Sequence, residues 1–205
     1  MTLQKLFNKY GADKSSKHKY HTVYENYFKE IREKKINFLE IGIFKGNSIE
    51  ALIEYFPNAT IYGIDIFKRL TPDDVPILKH ERVKWIKADS RKSDIIEKIN
   101  KYWPETTFDI ILDDGMHTPE ANKLTFRMLS DFLKDDGVYF IEDVFPLDIM
   151  TIKEMNNDWI KRNSDSLNHF EFQMFKDELK DWRIKQYDLR DKTGQPDSYI
   201  YRIKR

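Results

Sequence analysis

Cysteine is missing from all 205 residues, which excludes disulfides, thiolate metal sites and cysteine nucleophiles. Any metal must therefore be held by oxygen or imidazole. An excess of either charge is missing too. Thirty-five basic and 35 acidic side chains cancel, so no global field draws the chain to nucleic acid or an anionic membrane. Long apolar runs are absent: the start, MTLQKLFNKYGADK, has no signal-type core, and no later segment approaches a membrane span. A cytoplasmic protein with neither a nucleic-acid nor a membrane partner is the expectation. Glycine is sparse, at seven, and forms neither G-x-G-x-x-G nor G-K-[ST], so neither the dinucleotide fingerprint nor Walker A fits. No internal repeat, low-complexity segment or domain boundary is visible, and the length suits one domain with a substantial core.

Five compact apolar runs are present instead: INFLEIG (36–42), which carries Glu40 and ends in a turn, and TIYGID (60–65), VKWIKAD (83–89), FDIILDD (108–114) and GVYFIED (137–143), each ending in a carboxylate. Helical patterns separate most of them. Thr22 with Glu25, and Asn47 with Glu50, read as capping signals. Tyr24, Tyr27, Phe28 and Ile31 then form one apolar stripe, and Ile49, Leu52, Ile53 and Phe56 another. Helical patterns also cover 93–102 and 119–133, the second with Thr118 as cap and Pro119 at its first position. Near-continuous apolar strands alternating with helices predict a parallel sheet covered on both faces. WRIKQYDLR and DSYIYRIKR flank DKTGQP, with Gly194 in the loop, and predict a closing antiparallel hairpin. Residues 146–180 read as helical and are expected near the site; residues 1–35 read as a helical cap.

Ligands of open parallel sheets bind beyond the carboxyl ends of the strands. On that edge the expectation gathers Glu40, Asp65, Asp89, Asp113, Asp114, Glu142 and Asp143. A single acidic strand end is equally well explained by wet loops; five on one edge are not. Gly42 and Gly46 in EIGIFKGNS let backbone come close to a ligand. Asp65 is placed to take both hydroxyls of a ribose, and Asp89 and Ser90 can reach an adenine amino group. An adenosine with a short charged tail satisfies this set better than a dinucleotide does. Carboxylates converging from two adjacent strands would repel one another without a cation, and a hard divalent ion such as magnesium resolves that.

The stretches FLEIGIFKGNSIEAL, IYGIDI, KADS, FDIILDDGMH and YFIEDV resemble class I S-adenosylmethionine-dependent methyltransferases. More narrowly, they are similar to the metal-dependent sugar O-methyltransferases of the macrocin and mycinamicin type, as is the lead-in KYGADKSSKHKYHTVYENYF. The resemblance implies a Rossmann-like α/β domain over 1–205, with a mostly parallel seven-stranded sheet, helices on both faces and a C-terminal antiparallel hairpin. It makes Glu40 and Gly42 part of the methionine-side loop, Asp65 the ribose ligand, and Asp89 with Ser90 the adenine contacts. Asp114, Glu142 and Asp143 match the metal ligands, and His117 the general base. Asp113 is assigned to the cofactor side, with turn stabilisation as its alternative. Lys14, His18, Tyr20 and His21 are expected mostly as a packed cap, with a lid over the site as the alternative. The implied partner is a small-molecule sugar or glycoside acceptor; a homo-oligomer stays open. Met116 departs from the family pattern, which leaves the acceptor undefined. A metal-dependent enzyme acting on a catechol or other small diol is the runner-up, followed by an inactive cofactor-binding module.

Overall fold

The computed structural model describes residues 1–156, 158–162 and 167–205. Three helices lead the chain, α1 (Leu3–Tyr10), α2 (Asp13–Ser16) and α3 (His21–Phe28). An alternation follows: β1 (Asn37–Ile41), α4 (Asn47–Tyr55), β2 (Thr60–Asp65), β3 (Val83–Lys87), α5 (Asp94–Tyr102), β4 (Phe108–Asp113), α6 (Pro119–Leu129) and β5 (Leu133–Ile141). The remainder is α7 (Ile152–Met155), α8 (Asp158–Arg162), α9 (His169–Glu178), β6 (Arg183–Asp188), α10 (Arg190–Thr193) and β7 (Tyr199–Lys204). The strands form one sheet in the order β3-β2-β1-β4-β5-β7-β6. β1 to β5 are parallel, whereas β7 runs antiparallel to both β5 and β6. The mostly parallel sheet and closing antiparallel pair are those the strand pattern predicts.

Alternate residues of each strand face opposite layers. Phe38, Ile110, Leu112 and Phe140 pack with α1, α3 and α4 on one face. Leu39, Ile41, Ile111, Tyr139 and Ile141 pack with α5, α6 and α9 on the other. Both faces are covered, which is why the strands read as unbroken apolar runs.

Two capping expectations are corrected. α3 begins at His21, so Thr22 lies inside it, and its hydroxyl donates to the Lys19 carbonyl. Glu25 instead accepts the N–H of Leu3 at 2.8 Å, fixing the N-terminal segment. α4 is capped by Gly46 in the left-handed region, and Asn47 donates to the Gly11 carbonyl. Asn47 is taken by a long-range partner, whereas Thr22 keeps a local bond from inside the helix. Thr118 does cap α6, accepting from the Ala121 N–H. α9 of the 146–180 stretch lies against α6 through Lys123 and Glu171. No helix among the described residues is long and apolar enough to cross a membrane.

Candidate active site

The parallel order puts the carboxyl ends of β1, β4 and β5 side by side. Backbone bonds continue the ladder one residue past the strands: Asp114 N–H donates to Ile41 O, and Glu142 N–H to Asp113 O, each at 3.0 Å. Gly42 is required here. Its φ is +92°, and a Cβ would stand 2.0 Å from the Asp114 carbonyl oxygen. Its close approach is thus to the DDGMH turn itself, which packs against the first loop. Gly46 faces away, towards Val75 and Ile77.

A cavity of about 770 Å³ opens along this edge, lined by Gly42, Asp65, Asp89, Ser90, Asp114, His117 and Asp143 among others. Glu40, Gly46, Asp113 and Glu142 do not line it, nor does any described residue of 146–180. Besides Gly42, four of its lining residues, Phe44, Phe67, His117 and Asp143, carry a positive φ. Side-chain-bearing residues rarely adopt that conformation, and such residues cluster at ligand sites.

At one end, Asp65 clamps two loops: Oδ2 accepts the Phe44 N–H at 2.9 Å and Oδ1 the Phe67 N–H at 2.6 Å. A carboxylate has further lone pairs, so both oxygens can still accept from a ligand. Asp89 is held by Arg91, whose Nε and Nη2 donate to its two oxygens. That guanidinium keeps its pKa below the ordinary carboxylate value. Ser90 shares a hydrogen bond with Thr125.

At the other end stand the acids. Asp114 Oδ1 lies 3.6 Å and Asp143 Oδ2 3.8 Å from His117 Nε2. These three side chains can offer donor atoms within 4.8 Å of one another. The two carboxylates suit a hard divalent cation, with His117 Nε2 standing beside them. Burial, opposed by the charge of His117, raises the Asp143 pKa, and Asp114 raises it further. A cation between the two carboxylates would relieve that repulsion.

Glu142 is not part of this group. Its Oε2 accepts from Lys14 Nζ at 2.5 Å and its Oε1 from the Tyr24 hydroxyl. Burial lifts its pKa well above the ordinary range despite Lys14. Asp113 is buried as well, accepting from the Gly115 N–H and from Asn122. Burial pushes it up to about 6, and its bonds are those of the turn-stabilising alternative. Glu40 has the same burial and rises to about 7.

The N-terminal segment is packed, and it is also part of the site. Lys14, 2% exposed, donates to Asp114 and Glu142. Burial alone would lower its pKa; the charges of Asp114, Glu142 and Glu40 reverse that and hold it well above the ordinary value. Tyr20 donates to Asp143 Oδ1. His18 Nδ1 lies 2.9 Å from Ser198 Oγ and 3.4 Å from Asp143 Oδ1. His21, by contrast, is only half-buried and bonds none of the site carboxylates. Tyr24 and Asp197, the latter lining the cavity, carry no signal in their own neighbourhoods.

A family model, that of the FtsJ-like methyltransferases, matches residues 16–180. In sequence the chain is similar to the mycinamicin VI 2''-O-methyltransferase of Micromonospora griseorubida. The two are 28% identical over 130 residues, 60% of this chain and 30% of the other. It is equally similar to the demethylmacrocin O-methyltransferase of Streptomyces fradiae, 28% identical over 152 residues, 70% of this chain and 36% of the other. The chain thus spans about a third of the length of these curated relatives. Among solved structures, the MycE methyltransferase of the mycinamycin biosynthetic pathway, in complex with Mg and SAH, superimposes with a TM-score of 0.70. It is 20% identical, over all of this chain and 54% of that one. A putative caffeoyl-CoA O-methyltransferase from Staphylococcus aureus gives 0.60 at 14% identity, over 90% and 82%. At these identities the structural likeness shows the fold.

Proposed function

The chain belongs to the FtsJ-like methyltransferase family, and we propose that it is an S-adenosylmethionine-dependent, metal-dependent O-methyltransferase acting on a sugar hydroxyl. The observation that carries this reading is the convergence of Asp114 Oδ1, His117 Nε2 and Asp143 Oδ2 on the wall of a cavity that extends to Asp65 and Asp89. The named activities of the sugar O-methyltransferases above support the acceptor class, and the magnesium and SAH in the MycE complex support the cofactor and ion.

Bound in this cavity, S-adenosylmethionine would supply an electrophilic methyl group, and a divalent cation would supply Lewis acidity toward the acceptor. The chain's own residues do the rest. Asp65 accepts the ribose hydroxyls; Ser90 and the Asp89–Arg91 pair meet the adenine. Gly42 keeps the first loop tight against Asp114. Asp114 and Asp143 would hold the cation. His117 Nε2 takes the acceptor's proton as the oxygen is methylated, and the flanking carboxylates stabilise the imidazolium that results. A catechol would present a vicinal pair of oxygens and is the second acceptor to try.

The test is calorimetry followed by turnover. S-adenosylmethionine and magnesium are titrated into the wild type and Asp114→Asn. The expected result is cofactor binding to both proteins, with magnesium affinity reduced about tenfold or more in the variant. Labelled methyl transfer is then measured on glycosides and catechols. Absence of cofactor binding under every condition sinks the reading; transfer to catechols alone moves it to the second acceptor class.

A further inference from the structure

β7 runs antiparallel beside β5, so its first residues lie on the edge where the parallel strands end. The Val144 N–H donates to Tyr199 O at 3.0 Å, which brings Asp197, two residues before Tyr199, next to the end of β5. The sheet order then sets five cavity-lining residues in a row. Asp65 ends β2, Gly42 follows β1, Asp114 follows β4, Asp143 follows β5, and Asp197 precedes β7. The cofactor reading uses the positions at β2 and β1, and the acids after β4 and β5 belong to the divalent-ion reading. Asp197 stands one strand further on, at the acceptor end.

The backbone that carries Asp197 is pinned from beneath. Tyr20 Oη lies 3.0 Å from the Asp197 carbonyl oxygen, and the Tyr199 N–H donates to that oxygen at 2.6 Å. His18, 1% exposed, places Nδ1 2.9 Å from Ser198 Oγ. The Asp197 side chain is not held in this way. Its Oδ1 lies 3.9 Å from His18 Nδ1 and has no hydrogen-bond partner among the described residues. His18, Asp143 and Asp197 each offer an atom within 4.8 Å of the others. Asp143 turns Oδ1 to this side, 3.4 Å from His18, and Oδ2 towards His117. Asp197 is thus beside Asp143, on the side away from the proposed proton acceptor. A carboxylate can only accept hydrogen bonds, and one left without a donor is costly. The donor it lacks has to come with a ligand.

We propose that Asp197 determines acceptor specificity: its carboxylate accepts a hydrogen bond from a third hydroxyl of the acceptor, beyond a vicinal pair of the kind a catechol also presents. The preferred acceptor is therefore a sugar with three contiguous hydroxyls. The inference rests on the sugar reading above and narrows it. A site that offers a carboxylate to a hydroxyl rejects an analogue lacking that hydroxyl, because the carboxylate is then left unpaired. Asp197 is 19% exposed, so water takes up part of this penalty.

Labelled methyl transfer from S-adenosylmethionine tests the proposal. The probes are methyl hexopyranosides with hydroxyls at positions 2, 3 and 4, their 2-deoxy and 4-deoxy analogues, and catechol. In wild type, kcat/KM is expected to be about tenfold or more higher for the full glycosides than for the deoxy analogues. Asp197→Ala should abolish that ratio, leaving rates on the deoxy analogues and catechol within about threefold of wild type. Asp197→Asn, whose amide oxygen still accepts, should keep part of the ratio. An equal loss on every acceptor, or no loss on the full glycosides, overturns the proposal and leaves the sugar reading intact. If Asp197→Ala does not fold, the wild-type ratio and its fall in Asp197→Asn decide, and a wild-type ratio near one overturns the proposal. A wild type that methylates no glycoside removes the sugar reading and the proposal with it.

Discussion

Tyr20 and Asp143 are joined twice. The phenol O–H donates to Asp143 Oδ1 at 2.7 Å, and the same oxygen accepts the Asp143 N–H at 3.1 Å. Asp143 has a φ of +52°, a conformation that persists only when its surroundings enforce it. Tyr20 thus fixes both the backbone and one carboxylate oxygen, leaving Oδ2 towards His117.

Tyr20→Phe is accordingly expected to lower stability by about 2 kcal/mol, the usual scale for a lost hydrogen bond to a charged group. Magnesium affinity should fall about tenfold as Asp143 loses its orientation. Chemical denaturation and calorimetry check the two numbers. Unchanged magnesium affinity in a folded variant would mean that Tyr20 only packs.

Gly42→Ala and Gly194→Ala separate strain from collision. Both glycines have a positive φ, but a Cβ at Gly194 meets nothing within 4 Å, whereas at Gly42 it meets the Asp114 backbone at 2.0 Å. Gly194→Ala is expected to cost about 1 kcal/mol for the left-handed conformation. Gly42→Ala should cost at least about 2 kcal/mol more and weaken magnesium binding by displacing Asp114. Equal costs for the two in urea unfolding would refute this.

Glu40 makes stability depend on pH. Its carboxyl sits at about 7 against an ordinary value near 4.5, through burial opposed by Lys14 and reinforced by Asp114. The folded state therefore holds a proton that the unfolded state has released. This contribution is complete below pH 4.5 and is lost as pH rises to 7, amounting to about 3 kcal/mol. Unfolding in chelator-containing buffer at pH 4.5 and 8 should show Glu40→Gln losing less stability than wild type over that interval. Parallel losses in the two proteins would refute the assignment.

His117→Ala tests the proton acceptor. The rate of methyl transfer should fall by about 10²- to 10⁴-fold, with S-adenosylmethionine affinity within about threefold of wild type. Steady-state kinetics and calorimetry distinguish this from a folding defect. A fall below tenfold would remove His117 from the chemistry.

The sheet was legible because five apolar runs with acidic ends can only be buried on both faces, and their order fixes which edge carries Asp65, Asp114 and Asp143. Thr118 was legible as a cap because its partner, Ala121, is local. Asn47 misled because cap patterns are local and the contact that won joins it to Gly11, whereas Thr22 misled because α3 begins one residue earlier and Glu25 is taken by Leu3. The sequence by itself determined the fold, the edge on which ligands bind and the acids that stand there. Only the tertiary structure decided how those acids divide. Lys14 and Glu142 are 128 positions apart, as are Tyr20 and Asp143 by 123, and no periodicity or spacing encodes such a pairing. It arises because burial makes an uncompensated carboxylate costly, so the chain must bring a distant cation or hydroxyl to it. Which one arrives is a property of packing.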